Sequence, residues 1–105
     1  MKDKAIIDII KSKKYLDTPL DFRGNAIMVD IVSQLVAQLK DFGDLKTFSG
    51  KVVGGDSAQI LKIPNILTIN IIARSQTQTL EIEYGIITDN YQIQLIIESI
   101  IKQYQ

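Results

Sequence analysis

The chain contains no cysteine and no histidine. The first absence excludes disulfides, thiolate nucleophiles and zinc–sulfur sites. The second removes the commonest general base and metal ligand. An excess of one charge is also missing, because twelve basic and twelve acidic residues cancel. A nucleic-acid binder normally carries a basic surplus that displaces counterions from phosphates, and the whole chain has none. No apolar run approaches the length of about 18–20 residues that a membrane span needs. Residues 1–4 are charged, Asp8 interrupts the apolar stretch after them, and no cleavage-type segment follows, so no signal peptide is expected. These absences predict a soluble, cytoplasmic chain with no membrane association, no metal and no cofactor.

Isoleucine fills the space that reactive residues leave, at 20 of 105 positions. Its side chain packs and does no chemistry. Apolar content of 46% with 23% charged residues is ordinary for a globular protein, so one folded domain over residues 1–105 is expected. Three glutamates against nine glutamines favour AT-rich coding over heat adaptation as the source of the isoleucine excess.

Periodicity divides the chain into elements. Residues 4–14 read as a short helix with Ile6, Ile7 and Ile10 on one face. Thr18-Pro19-Leu20-Asp21 carries a helix-start signature inside a connector, which Gly24 and Asn25 then end. Residues 26–42 form the strongest helix. Met28, Val32, Leu35, Leu39 and Phe42 make its stripe, which Ile27, Val29, Ile31 and Val36 widen to an arc of roughly 200° at about 100° per residue. Gly43 supplies the helix cap.

From Leu45 the period becomes two, and residues 48–53, 58–63, 66–74 and 79–87 read as strands. Gly54-Gly55 makes the turn between the first two, whose Lys51 and Lys62 suit a sheet edge. The loop Ser75-Gln76-Thr77-Gln78 sets Arg74 opposite Thr79, Ile71 opposite Ile82 and Leu67 opposite Ile86. Slipping this register by one residue would turn Glu81 and Glu83 inward. A last helix covers residues 90–104, with Asp89 and Gln92 as a capping box. The expected fold is therefore α+β: two N-terminal helices, a four-stranded mainly antiparallel sheet and a C-terminal helix, with the helices on one sheet face.

No constellation of reactive side chains survives inspection. Asp41-Phe42-Gly43 matches the magnesium-binding tripeptide of protein kinases, but it ends a helix in a chain far too short for that fold. Gly50-Lys51 and Gly54-Gly55-Asp56-Ser57 lack P-loop spacing and precede a strand. Asp17, Asp21, Asp41 and Asp44 follow no known metal-loop spacing. No catalytic residue, metal ligand or cofactor site is assigned.

The remaining candidates are surfaces. Ile27, Met28 and Val29 on the wide helical arc, with Tyr91 and Leu95 on the back of the last helix, exceed what one sheet face can cover. They predict a homodimer, or contact with an unidentified protein partner. Lys4, Lys11, Lys13 and Lys14 lie in an N-terminal segment with three more basic than acidic residues, so nucleic acid is an alternative partner. A membrane anchor through Ile6, Ile7, Ile9 and Ile10 is a lesser reading. The function expected is thus a non-enzymatic interaction module acting as an accessory or regulatory factor. A small-molecule-binding domain or enzyme is the third possibility.

Overall fold

The first segment is a strand, not a helix. In the computed structural model, which describes residues 2–54 and 56–105, β1 (Lys2–Asp8) pairs antiparallel with the last strand of the sheet. The stretch 5–10 fits two periods: Ile6, Ile7 and Ile10 at helical spacing, or Ala5, Ile7 and Ile9 at period two. The second prevails, because Ile7 and Ile9 are buried while Ile6 and Ile10 are exposed. Stiff β-branched side chains suit a pleated surface, and an apolar sheet edge is there to receive them. Asp8 ends the strand by accepting hydrogen bonds from the backbone N–H groups of Ile10 and Lys11, at 3.0 and 3.4 Å.

The predicted helix start at Pro19 opens the main helix itself. α1 (Leu20–Leu39) runs straight through Gly24 and Asn25 and passes into a 3-10 turn (Lys40–Phe42). Gly24 permits close packing, since a Cβ there would lie 3.3 Å from Ile9 Cδ1. Ile27, Met28, Ile31, Leu35 and Leu39 face the core, whereas Val32, Val36 and Phe42 are half-buried. Gly43 is required for space rather than for a left-handed cap. A Cβ at Gly43 would stand 2.5 Å from Ile63 Cγ2 in the core. Gly43→Ala is expected to cost about 1–3 kcal/mol in urea unfolding. Ile63→Ala should remove most of that cost in the double variant.

The sheet has five strands, not four. After α1 come β2 (Lys46–Lys51), β3 (Ser57–Ile63), β4 (Leu67–Arg74) and β5 (Thr79–Ile86), in the spatial order β1-β5-β4-β3-β2. Every neighbouring pair is antiparallel. The β4–β5 register matches the sequence reading, with Arg74 opposite Thr79 and Leu67 opposite Ile86. Gly54 adopts φ 99° at the β2–β3 turn, where glycine is the permissive residue. Its neighbour Gly55 lies outside the described residues.

α1 carries the chain from the β1 edge to the opposite β2 edge, so there is a single N-terminal helix. α2 (Tyr91–Lys102) is capped by Asn90 rather than Asp89. The Asn90 side chain accepts from Gln92 N–H at 3.1 Å. Cross-strand rows such as Leu61–Ile69–Tyr84 and Ile71–Ile82–Ala5 meet the inner faces of both helices in one core. Each fully buried isoleucine contributes about 1.5–3 kcal/mol. Among the described residues, no helix is long and apolar enough to cross a membrane.

The irregular connector between β1 and α1 is held by a buried cation. Arg23 Nη1 donates to Ile10 O, Nη2 to the carbonyls of Leu16 and Thr18, and Nε to Thr18 O, at 2.6–2.9 Å. One planar guanidinium thereby satisfies three carbonyls of a segment with no regular structure. The same connector buries the Ser12 hydroxyl, which has no hydrogen-bond partner among the described residues. Ser12→Ala should be neutral or stabilising by up to about 1 kcal/mol in thermal unfolding.

Candidate interaction surfaces

One face of the sheet carries no helix. There β1 presents Lys4 and Ile6, β5 presents Glu81 and Glu83, β4 presents Asn70, Ile72 and Arg74, and β2 presents Phe48. Lys4 Nζ lies 3.9 Å from both glutamates. Arg74 Nε pairs with Glu81 at 3.2 Å, and Arg74 Nη1 reaches Asp56 at 3.9 Å. Ion pairs this exposed are worth about 0–1 kcal/mol each. They tie charges to one another rather than presenting a field of one sign. Beside them Lys2, Lys4, Thr68, Asn70, Glu83 and Gly85 line a broad depression of about 850 Å³. It offers hydrogen-bonding groups, and Tyr84 and Asp3 also line it, the Tyr84 hydroxyl donating to Asp3 Oδ2 at 3.2 Å.

The helical side holds a polar knot where the connector meets both helices. Lys14 Nζ pairs with Asp30 at 2.8 Å and donates to Gln103 Oε1 at 3.1 Å. Gln34 and Gln103 exchange amide hydrogen bonds at 2.7 and 2.9 Å. The buried Tyr104 donates its hydroxyl to Asp30, and its ring stacks on Tyr15 with centroids 6.0 Å apart. Burial disfavours the Asp30 anion, but hydrogen bonds from Lys14, Tyr104 and Gln34 and the Lys14 charge outweigh it. The Asp30 pKa is therefore lowered. Burial and the Asp30 carboxylate raise the Tyr104 pKa. Burial, with Asp3 beside it, pushes Tyr84 up to about 12.

These directions fix the pH dependence. A lowered carboxyl pKa adds stability above the ordinary value of 3.8, and that contribution fades as pH falls below it. Raised tyrosine pKa values add stability that is full below 10.0 and fades as pH climbs past it. Thermal melts should show a plateau between these limits, with losses on both sides. Asp30→Asn should lower the plateau and flatten the acid limb.

The interface candidates divide into two groups. Ile27 and Met28 are buried in the chain's own core and leave no area for a partner. Val29, Tyr91 and Leu95 are 65%, 66% and 47% exposed. On α1, Val29 belongs to an exposed run of Phe22, Asn25, Val29, Ser33 and Ala37, spaced by three or four residues and uncharged throughout. The lysines are scattered rather than aligned on a helix. Lys4 is on the open sheet face, Lys14 is engaged on the helical side, and Lys11 and Lys13 stand exposed in the connector.

Asp17, Asp21, Asp41 and Asp44 are exposed, and no three carboxylates converge as a metal site among the described residues. Sequence reasoning left Arg23 in the connector and missed its role, and it read Tyr104 on the apolar face of the last helix, where it is buried, without the hydroxyl bond to Asp30. Comparison with known proteins finds no matching family model, no matching curated protein and no matching solved structure.

Proposed function

We propose that the chain is a small non-enzymatic protein-interaction module that works as a homodimer, in the role of an accessory or regulatory factor. The observation that carries the interaction reading is the exposed surface outside the core that would meet a protein partner: the uncharged outer run of α1 around Val29, with Tyr91 and Leu95 on α2. Solvated helix faces ordinarily carry charge, so an uncharged one that exposes Phe22 and Val29 suits contact with another macromolecule. The scarcity of reactive side chains argues against catalysis as the purpose of the fold.

Sedimentation over a wide concentration range should give twice the 11.8 kDa mass of one chain. A monomer at every concentration would overturn the dimer. Val29→Glu with Leu95→Glu should leave the melting curve unchanged, since surface substitutions shift stability by about 0.5 kcal/mol or less. The same pair should abolish capture of the protein partner. Equal capture by wild type and variant would remove the helical faces from the reading.

A second reading rests on the open-face depression, whose lysine, glutamate, threonine and asparagine groups suit a small polar ligand. A thermal-shift screen tests it, because a ligand at a hundred times its Kd adds about 2.7 kcal/mol.

A further inference from the structure

The two edges of the sheet are treated differently. At the β1 edge, the backbone bond from Ile9 N–H to Gln78 O shows which residues point inward. Antiparallel alternation then turns Lys2, Lys4, Ile6 and Asp8 outward. Two of these outward groups are already occupied: Lys4 N–H donates to the Asp3 carboxylate at 2.8 Å, and Ile6 O accepts from Gln105 Nε2 at 3.1 Å.

At the β2 edge, Val52 N–H donates to Asp56 O, so the outward groups belong to Thr47, Ser49 and Lys51. No backbone group of these three has a partner on the outward side among the described residues, and all six residues of β2 are exposed. Long bare edges invite strand pairing, and this one is uncovered by any helix or loop.

Phe48 and Gly50 indicate what would pair there. Both lie on the helix-free face, where Phe48 is 51% exposed. A Cβ at Gly50 would meet nothing within 4 Å, so the chain's own packing does not demand glycine there. Glycine inside a strand costs about 0.5–1 kcal/mol and often marks the close approach of another group.

We infer that β2 is the dimer seam, pairing antiparallel with β2 of a second copy about a two-fold axis through Ser49. This rests on the homodimer reading above and names its surface. The axis sets Thr47 against the partner's Lys51 and Ser49 against the partner's Ser49, so all three outward residues are bonded, in six backbone hydrogen bonds. Shifting the axis to Phe48 would leave only two such pairs within the strand. Centred on Ser49, Phe48 lies opposite the partner's Gly50, and the two phenylalanines become diagonal neighbours. An aromatic ring over a cross-strand glycine is a favourable pairing.

Charge permits this register. Lys46 falls opposite the partner's Val52 and Lys51 opposite the partner's Thr47, so no lysine faces a lysine. The β1 edge, with Lys4 N–H and Ile6 O already occupied, is a poorer mate for β2, and the assembly closes as a two-fold dimer with a continuous ten-stranded sheet instead of growing into a filament.

The wild-type chain has no cysteine, so Ser49→Cys introduces a unique thiol. Facing residues in a bonded antiparallel pair stand about 5.5 Å apart at Cα, within disulfide reach. Mild oxidation should convert Ser49→Cys almost wholly to a covalent dimer, while Gln38→Cys on the exposed side of α1 stays largely monomeric. Ser49→Pro removes an outward N–H without breaking a bond to β3. Gly50→Lys gathers like charges at the axis. Both should sediment as folded monomers with unchanged circular dichroism, while Val29→Glu should remain dimeric.

A dimer that survives Ser49→Pro and Gly50→Lys but is lost in Val29→Glu would overturn the seam and leave the homodimer standing. A wild type that stays monomeric at all concentrations would overturn both.

Discussion

Replacing Arg23 with alanine is expected to lower the free energy of unfolding by about 3 kcal/mol and the melting temperature by roughly 12 °C or more. The guanidinium satisfies the carbonyls of Ile10, Leu16 and Thr18. Alanine leaves those acceptors short of donors and opens a gap beneath the connector. Each buried acceptor without a partner costs about 1–3 kcal/mol, moderated where water can enter. Arg23→Lys keeps the charge but loses the planar fork, so it should recover less than half of the loss. Urea denaturation of the three proteins decides the point. A loss below about 1 kcal/mol for Arg23→Ala would mean that the connector holds its shape without the staple.

Tyr104→Ala should be of similar or greater consequence, at about 3–5 kcal/mol. The ring is buried near the end of the chain, stacked on Tyr15 and bonded through its hydroxyl to Asp30. Losing it removes core area and also unfastens the connector from α1. Tyr104→Phe separates the two contributions, since it keeps the ring and should cost about 1 kcal/mol. Combining Tyr104→Phe with Asp30→Asn should cost less than the sum of the single losses, because both remove the same hydrogen bond. Strict additivity would mean that the two groups do not act together.

The β4–β5 hairpin was legible because its alternation admits one register, whereas β2 and β3 show no alternation that phases cleanly onto one face. Placing Glu81 or Glu83 in the core is prohibitive, and the observed β4–β5 pairing agrees with that constraint. The first element was misread because isoleucine doublets satisfy two periods at once. What decides between them is the apolar edge of β5, which lies more than seventy residues away in the chain and cannot enter a local window.

Gly24 looked like a breaker because propensity disfavours it in a helix, yet it serves a tight approach to Ile9. Among the surface candidates, period alone could not tell Val29 from Ile27 and Met28, since all three lie on the wide arc. Burial separates them, because the sheet packs against one side of that arc only. The bare β2 edge was foreshadowed by Lys51, but Lys62, read as its companion, lies on β3 inside the sheet, exposed on the helix-free face rather than at an edge. Which strand lay beside β2 required the strand order.

The spatial order of the strands also governs how the chain reaches its native state. β2 to β5 join by short local turns, whereas β1 must find β5 across nearly the whole sequence. Loop-closure entropy makes that non-local step the slower one. Refolding should therefore proceed through an intermediate or transition state in which the meander is formed and the N-terminal strand is not. During synthesis, β1 emerges first and waits until β5 leaves the ribosome. In that interval its isoleucines are exposed, and a chaperone would shield this strand until its partner arrives.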